Sequence, residues 1–210
     1  MLVPGTLDNP QSARRTAGLS QRELKPEQRL DRALRDAQPL RAARTQTAGT
    51  PVPALDVPGV LEVLSRADVQ YVLIGELAEV LRGSPLLPVT GTVTIVPRAG
   101  ERERLSAAIA GLGGQPVAAP TASAIDRPTR FMLETSATEL VIEPAPPGTH
   151  GYDDLRRDGP AIRLDENLDV TVASLVDLIR IAEASEDRAR VPALRRTLEL
   201  AASPPAARVA

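Results

Sequence analysis

The chain has 210 residues, 42% hydrophobic and 25% charged, and a formal charge of −2 at pH 7. This composition is globular, and the near-neutral balance excludes a basic nucleic-acid surface over the whole chain. Cysteine is absent and histidine occurs once, at His150, which excludes disulfide scaffolds, zinc–thiolate and Fe–S sites, cysteine nucleophiles and multi-histidine metal sites. With Tyr71, Phe131 and Tyr152 as the only aromatic residues, base-stacking platforms are unavailable. The core must come from Leu, Val, Ile and Ala. No stretch approaches the roughly 20 apolar residues of a membrane span. The start MLVPGTLDNPQ lacks the charged and apolar runs of a secretory signal. The expectation is a cytoplasmic protein with no membrane contact.

Residues 1–54 hold 9 basic and 5 acidic residues, against 16 and 22 in the rest, together with Pro4, Pro10, Pro26, Pro39, Pro51 and Pro53. Ser20 and Glu23 have capping-box spacing, and PEQRLDRALRDAQPLRAA can wind from Pro26. Leu30, Leu34 and Leu40 form only a thin apolar stripe, and TQTAGTPVPA (45–54) reads as a linker. Such sparse apolar content does not offset the ordering entropy of roughly 1–2 kcal/mol per residue. Residues 1–54 are therefore expected to be a largely mobile extension. Residues 55–202 are expected to be the folded domain and 203–210 a disordered tail.

From Asp56 the pattern changes. Asp56 and Pro58 mark a helix start, and Val60, Leu61, Val63 and Leu64 form its apolar face. VQYVLIG (69–75) reads as a buried strand. ELAEVLRG (76–83) reads as a short helix stopped at Gly83. TGTVTIVP (90–97) alternates as a strand, with Thr90, Thr92 and Thr94 on one face and Val93 and Ile95 on the other. GERERLSAAIAGLGG (100–114) reads as a helix. TRFMLET (129–135) and TELVIEP (138–144) form a hairpin candidate. After the loop 145–154 come short strands at 161–164 and 168–172. Ser174 and Asp177 have capping-box spacing ahead of SLVDLIRIAEAS, and a last helix runs near 192–201. This order predicts an α+β domain with a small mixed sheet flanked by helices. The strands at 69–75 and 91–96 are expected to be adjacent and central.

The run VQYVLIGELAEVLRGSPLLPVTGTVTIVP resembles the opening of a nucleotidyltransferase-fold domain of the DNA polymerase β superfamily. It is most similar to bacterial nucleotidyltransferase-like proteins of abortive-infection and type IV toxin–antitoxin systems. The matching landmarks are Gly75, Gly83-Ser84, Thr90, Ile95-Val96-Pro97, Pro147-Gly148, Tyr152-Asp153-Asp154-Leu155 and Ser174-Leu175-x-Asp177-Leu178-Ile179, so the resemblance covers about residues 57–200. It implies that Gly75, Gly83 and Ser84 stand at nucleotide-binding positions, and that Thr92, Thr94 and Val141 stand where the family carries metal-binding carboxylates. The run ARRTAGLSQREL (13–24) is similar to the start of a bacterial helix-turn-helix repressor domain, but it breaks at Lys25-Pro26 and lacks the groove-reading helix. A truncated remnant without specific DNA binding is the expectation there.

Nucleotidyl transfer in the family needs two Mg²⁺ ions, and hard cations need carboxylate oxygens. Asp-x-Asp on a strand works because alternate residues share a face. Thr92 and Thr94 keep that spacing without its charge. Glu76 replaces the second glycine and would repel a triphosphate at close range. Val141 stands at the third carboxylate position and Ala182 at that of a lysine. No cofactor is expected, Mg²⁺ belonging only to an intact family member. The leading reading is a catalytically degenerate pseudoenzyme that binds or regulates, with a protein partner and weak or absent nucleotide binding. The alternatives are an active nucleotidyltransferase using Ser84 with Glu139, Glu143 or Asp153, and a decaying gene product. Simpler readings make Glu139 and Glu143 a solvated strand edge, Asp153-Asp154 a helix start neutralised by Arg156 and Arg157, and His150 a surface-loop residue.

Overall fold

The computed structural model describes residues 23–48, 56–113, 115–116, 130–135, 138–186 and 188–203. Its first element corrects an expectation. Part of the segment expected to be mobile is a 23-residue helix, α1 (Pro26–Ala48). Proline suits the first helical turn, where its missing N–H would be unbonded in any case. The stripe that docks α1 is built mainly from small residues: Leu30, Ala33 and Ala37 are 3%, 1% and 0% exposed, and Leu24 just before the helix is 2% exposed. Leu30 joins the main core, with Leu34 packed against it. Arg29 adds a polar tie by donating from NH1 to the Leu81 carbonyl at 2.6 Å. Counting large apolar residues underestimated this helix, because an alanine stripe allows close approach without bulk. Residues 1–22, 49–54 and 204–210 lie outside the described residues, and with them most of the helix-turn-helix-like run and the expected tail.

Helix α2 (Val57–Arg66) begins as its sequence dictates. The Asp56 side chain accepts the Gly59 N–H at 2.9 Å, and Val57, Val60, Leu61 and Leu64 are buried. Strand β1 (Tyr71–Ile74) follows and passes directly into α3 (Gly75–Leu81). The turn between them needs glycine, because Gly75 has φ +74. Strand β2 (Val93–Pro97) is shorter than the 90–97 expected. Gly91 has φ +66, and Thr90 is held by Glu76, so extended pairing starts only at Val93. Helix α4 (Arg102–Gly111) buries Leu105 and Ala108.

Short strand β3 (Gln115–Pro116) was not expected from the sequence. Strands β4 (Phe131–Glu134) and β5 (Glu139–Ile142) form the expected hairpin. These strands make one mixed sheet in the order β1-β2-β5-β4-β3, in which only the β2–β5 pairing is parallel. Strand β1 is therefore adjacent to β2, but it is terminal in this sheet and not central. Helix α5 (Tyr152–Asp158) leads to a second hairpin, β6 (Ala161–Asp165) and β7 (Leu168–Thr171). A single parallel bridge, Leu73 to Val172, joins that hairpin to the free side of β1. This explains why β1 is apolar on both faces despite its terminal place: Val72, Leu73 and Ile74 are 0%, 0% and 3% exposed.

Helix α6 (Leu175–Ala184) starts at Ser174, whose hydroxyl accepts the Asp177 N–H at 3.1 Å. A 3-10 turn (Arg188–Arg190) precedes α7 (Val191–Ala202), which packs on α6. Ala182 is 6% exposed within the core.

The docking of α1 is testable. Leu30→Ala should lower stability by about 2–5 kcal/mol, the usual range for such a truncation in a core. In urea unfolding with trypsin sampling, Arg32 of the unmodified chain should be cut slowly and that of the variant quickly. Rapid cleavage at Arg32 in the unmodified chain would contradict a docked helix.

Candidate functional site

The pairing of β1, β2 and β5 brings three of the sequence-derived positions together. Thr94 is registered with Ile74 of β1 on one side and with Val141 of β5 on the other. Val141 is in turn registered with Met132 of β4. Registered residues point to the same face, so Ile74, Thr94, Val141 and Met132 form one row across the sheet. Gly75 closes against the same row: a Cβ placed there would lie 3.4 Å from Thr94 Oγ1. Thr92 lies just ahead of β2, and its hydroxyl donates to Glu139 Oε2 at 3.1 Å. Thr92, Thr94 and Val141 thus share one face across the β2–β5 pair.

The chemistry at that place does not fit divalent cations. Val141 is completely buried and offers no donor atom. The two threonines supply hydroxyls without negative charge, and Glu139 already accepts the Thr92 hydroxyl. Among the described residues, no group of three or more His, Cys, Asp or Glu is placed to share an ion.

The positions expected to contact nucleotide are likewise committed to the fold. Ser84 is 1% exposed, and its Oγ accepts the Leu86 N–H at 3.3 Å. The backbone N–H groups of Gly83 and Ser84 bond to the carbonyls of Val80 and Glu79, each at 2.9 Å. Gly83, with φ +92, faces Arg29 of α1. Thr94 meets Gly75, and Thr92 meets Glu139.

Glu76 departs from the simple picture of an anion-repelling carboxylate. Its Oε2 accepts both the Thr90 N–H at 2.9 Å and the Thr90 hydroxyl at 2.8 Å. Its Oε1 accepts Arg190 NH1 at 3.0 Å. Arg190 also forks onto Glu79, with NH2 2.6 Å from Oε2 and Nε 3.1 Å from Oε1. The three side chains are only 15% (Arg190), 14% (Glu76) and 6% (Glu79) exposed. A guanidinium satisfies two carboxylates at once because its donors lie in one rigid plane. Reading the sequence missed this triad, since Arg190 lies more than 100 positions away and no local spacing pairs it with α3.

Helix α1 runs along the same region. Arg29 touches the Gly83 end, and Arg41 lies about 18 Å further on at 1.5 Å per residue. Burial lowers the Arg41 guanidinium below its ordinary value, and the Glu139 charge offsets part of that. Strand β5 lies between β2 and β4, so Glu139 and Glu143 are not on a sheet edge as expected. Glu143 pairs with Arg130 at 3.2 Å, and burial still raises its carboxyl. A shallow cleft of about 200 Å³ lies elsewhere, lined by Asp68, Tyr71, Tyr152, Arg156 and Asp169 among others, and includes none of the predicted site residues.

Asp153 and Asp154 do open a helix, but the neutralising arginine is Arg180 and not Arg156 or Arg157. Arg180 NH2 stands 2.8 Å from Asp154 and 2.7 Å from Asp177. The His150 backbone N–H, 3.0 Å from Asp154 Oδ2, is the main cause holding that carboxyl below its ordinary value, with Arg180 adding to it. His150 itself is exposed in the loop, as expected.

No family model matches the chain, and no curated protein matches it.

The Asp154 contacts predict a pH dependence. Its carboxyl is depressed in the folded state, so the stability it contributes is present above the unfolded value of about 3.9. That contribution is lost as pH falls through the folded value. Urea unfolding between about pH 6 and pH 2 should show a steeper acid loss for the unmodified chain than for Asp154→Asn. Equal slopes would show that these contacts do not favour the charged form.

Proposed function

We propose that this chain is a catalytically silent protein of the nucleotidyltransferase fold, acting as a binding or regulatory module. The observation that carries this reading is the shared face of Thr92, Thr94 and Val141, with Gly75 against Thr94 and Val141 completely buried. This arrangement supports the reading, and the residues there lack the charge that two-metal chemistry uses. The commitment of Ser84 to Leu86 and of Glu76 to Arg190 supports the same conclusion for the triphosphate side. Helix α1 supports a binding role, since the domain already holds an amphipathic helix against α3. The toxin–antitoxin-like context and the cytoplasmic location are part of this proposal. Among the described residues, no helix is long and apolar enough to cross a membrane.

An active enzyme built on Glu139 or Glu143 is disfavoured by their engagement with Thr92 and Arg130. Incubation with labelled ATP, GTP, CTP and UTP in the presence of Mg²⁺ or Mn²⁺ tests the silent reading. No label transfer to protein or to added RNA is expected. Transfer that depends on the divalent ion and disappears in Glu139→Gln would replace the silent reading with the active one.

A further inference from the structure

The shallow cleft away from the threonine face holds chemistry that the proposed function leaves unused. It opens where the end of α2, the start of β1, α5 and β7 come together, and Asp68, Tyr71, Tyr152, Arg156 and Asp169 are among its lining residues. Helix α5 packs on β1, and β1 and α2 both pack on β7, so ordered elements form its walls. At about 200 Å³ it is smaller than the roughly 300–1,000 Å³ of drug-sized ligand sites, which suits a compact ligand.

Tyr71 is the deepest polar side chain of this lining. It is 8% exposed, and its hydroxyl makes no hydrogen bond among the described residues. A buried phenol hydroxyl ordinarily finds a partner. Burial raises this phenol well above its ordinary value, so it stays protonated and can donate. Tyr152, the chain's other tyrosine, adds a half-buried ring to the lining.

The charges around the cleft do not answer one another. Arg156, exposed on α5, makes no ion pair among the described residues. Asp169 is already held by two Arg163 donors, at 3.0 and 3.3 Å. Asp68 stands 3.6 Å from Arg104 and accepts no hydrogen bond among the described residues. It sits in the turn that ends α2 with φ +52, the only positive value among the described non-glycine residues. The Asp68 carboxylate and the Arg156 guanidinium thus border one cleft without pairing with each other. Together with the unbonded phenol they complement a molecule that carries both charges: a carboxylate accepts from guanidinium and hydroxyl donors, and an ammonium donates to a carboxylate.

We infer that this cleft binds a small zwitterion, a free α-amino acid, with its carboxylate on Arg156 and the Tyr71 hydroxyl and its ammonium toward Asp68. The site does not depend on the nucleotidyltransferase reading.

The chain has no tryptophan and both of its tyrosines line the cleft, so tyrosine fluorescence reads its occupancy directly. The free non-aromatic L-amino acids, each titrated into the full chain at constant ionic strength, provide the test. At least one should give a saturable change. Its affinity should fall about tenfold or more in Arg156→Gln, the loss that follows from removing a hydrogen bond to a charged group. It should be unchanged in Arg157→Gln, an exposed neighbour on α5 outside the cleft. Tyr71→Phe keeps the buried ring, and Asp68→Asn suits the positive φ, so both should fold and both should bind severalfold more weakly. The N-acetyl and amide forms of the same amino acid each lack one charge and should bind far more weakly than the free form. Absence of a saturable change with every amino acid overturns the inference. So do equal affinities in the unmodified and Arg156→Gln chains, an equal loss in Arg157→Gln, or an N-acetyl form that binds as tightly as the free amino acid. Label transfer from nucleotides bears on the other reading alone.

Discussion

The parallel register between β2 and β5 is the constraint on which the rest depends. A parallel pair cannot be made by a tight turn, so the chain between Pro97 and Glu139 must cross over before β5 can join β2. Once it does, Thr94 stands beside Val141, and the antiparallel partner β1 brings Ile74 and the start of α3 to the other side. Gly75 then takes a positive φ beside Thr94. The same pairing puts Glu139 within reach of the Thr92 hydroxyl. One register therefore decides which residues can share a site and what room remains there.

At that place an uncharged row takes the position in which the proposed reading would put a cation cluster. Three close carboxylates repel one another unless a metal neutralises them. Thr, Thr and Val carry no such repulsion, and Val141 is as buried as any core residue. The charges near this region are instead paired within the protein. Arg190 answers Glu76 and Glu79, and Arg180 answers Asp154 and Asp177. Arg190 ties the 3-10 turn ahead of α7 to α3, and Arg180 ties α6 to α5.

Much of the fold was legible in the sequence because the signals were local. Dense β-branched residues marked β1, alternation marked the inner face of β2, and Asp56 and Ser174 capped helices at the positions their spacing indicated. What escaped was long-range. The docking of α1 relies on Ala33 and Ala37, whose burial depends on a complementary surface and not on their own hydrophobicity. The terminal place of β1 could not be read from a run that is apolar on both sides, because the β7 hairpin covers its other edge through one bridge. For the site, the shared face of Thr92 and Thr94 followed from strand periodicity. The commitments of Ser84, Glu76 and Glu139 did not, since each partner is set by tertiary packing.

The central claim is that the face shared by Thr92, Thr94 and Val141 holds no carboxylate cluster and does not take up a divalent metal ion. Paramagnetic Mn²⁺ broadens backbone amide signals close to wherever it resides, so a titration of the isotopically labelled chain reads this face directly. The account predicts that the signals of Gly75, Thr94, Leu140 and Val141 keep their line widths while any broadening falls on exposed acidic positions such as Asp165 and Glu166. Selective, chelator-reversible broadening of Gly75, Thr94 and Val141 at low Mn²⁺ would contradict it.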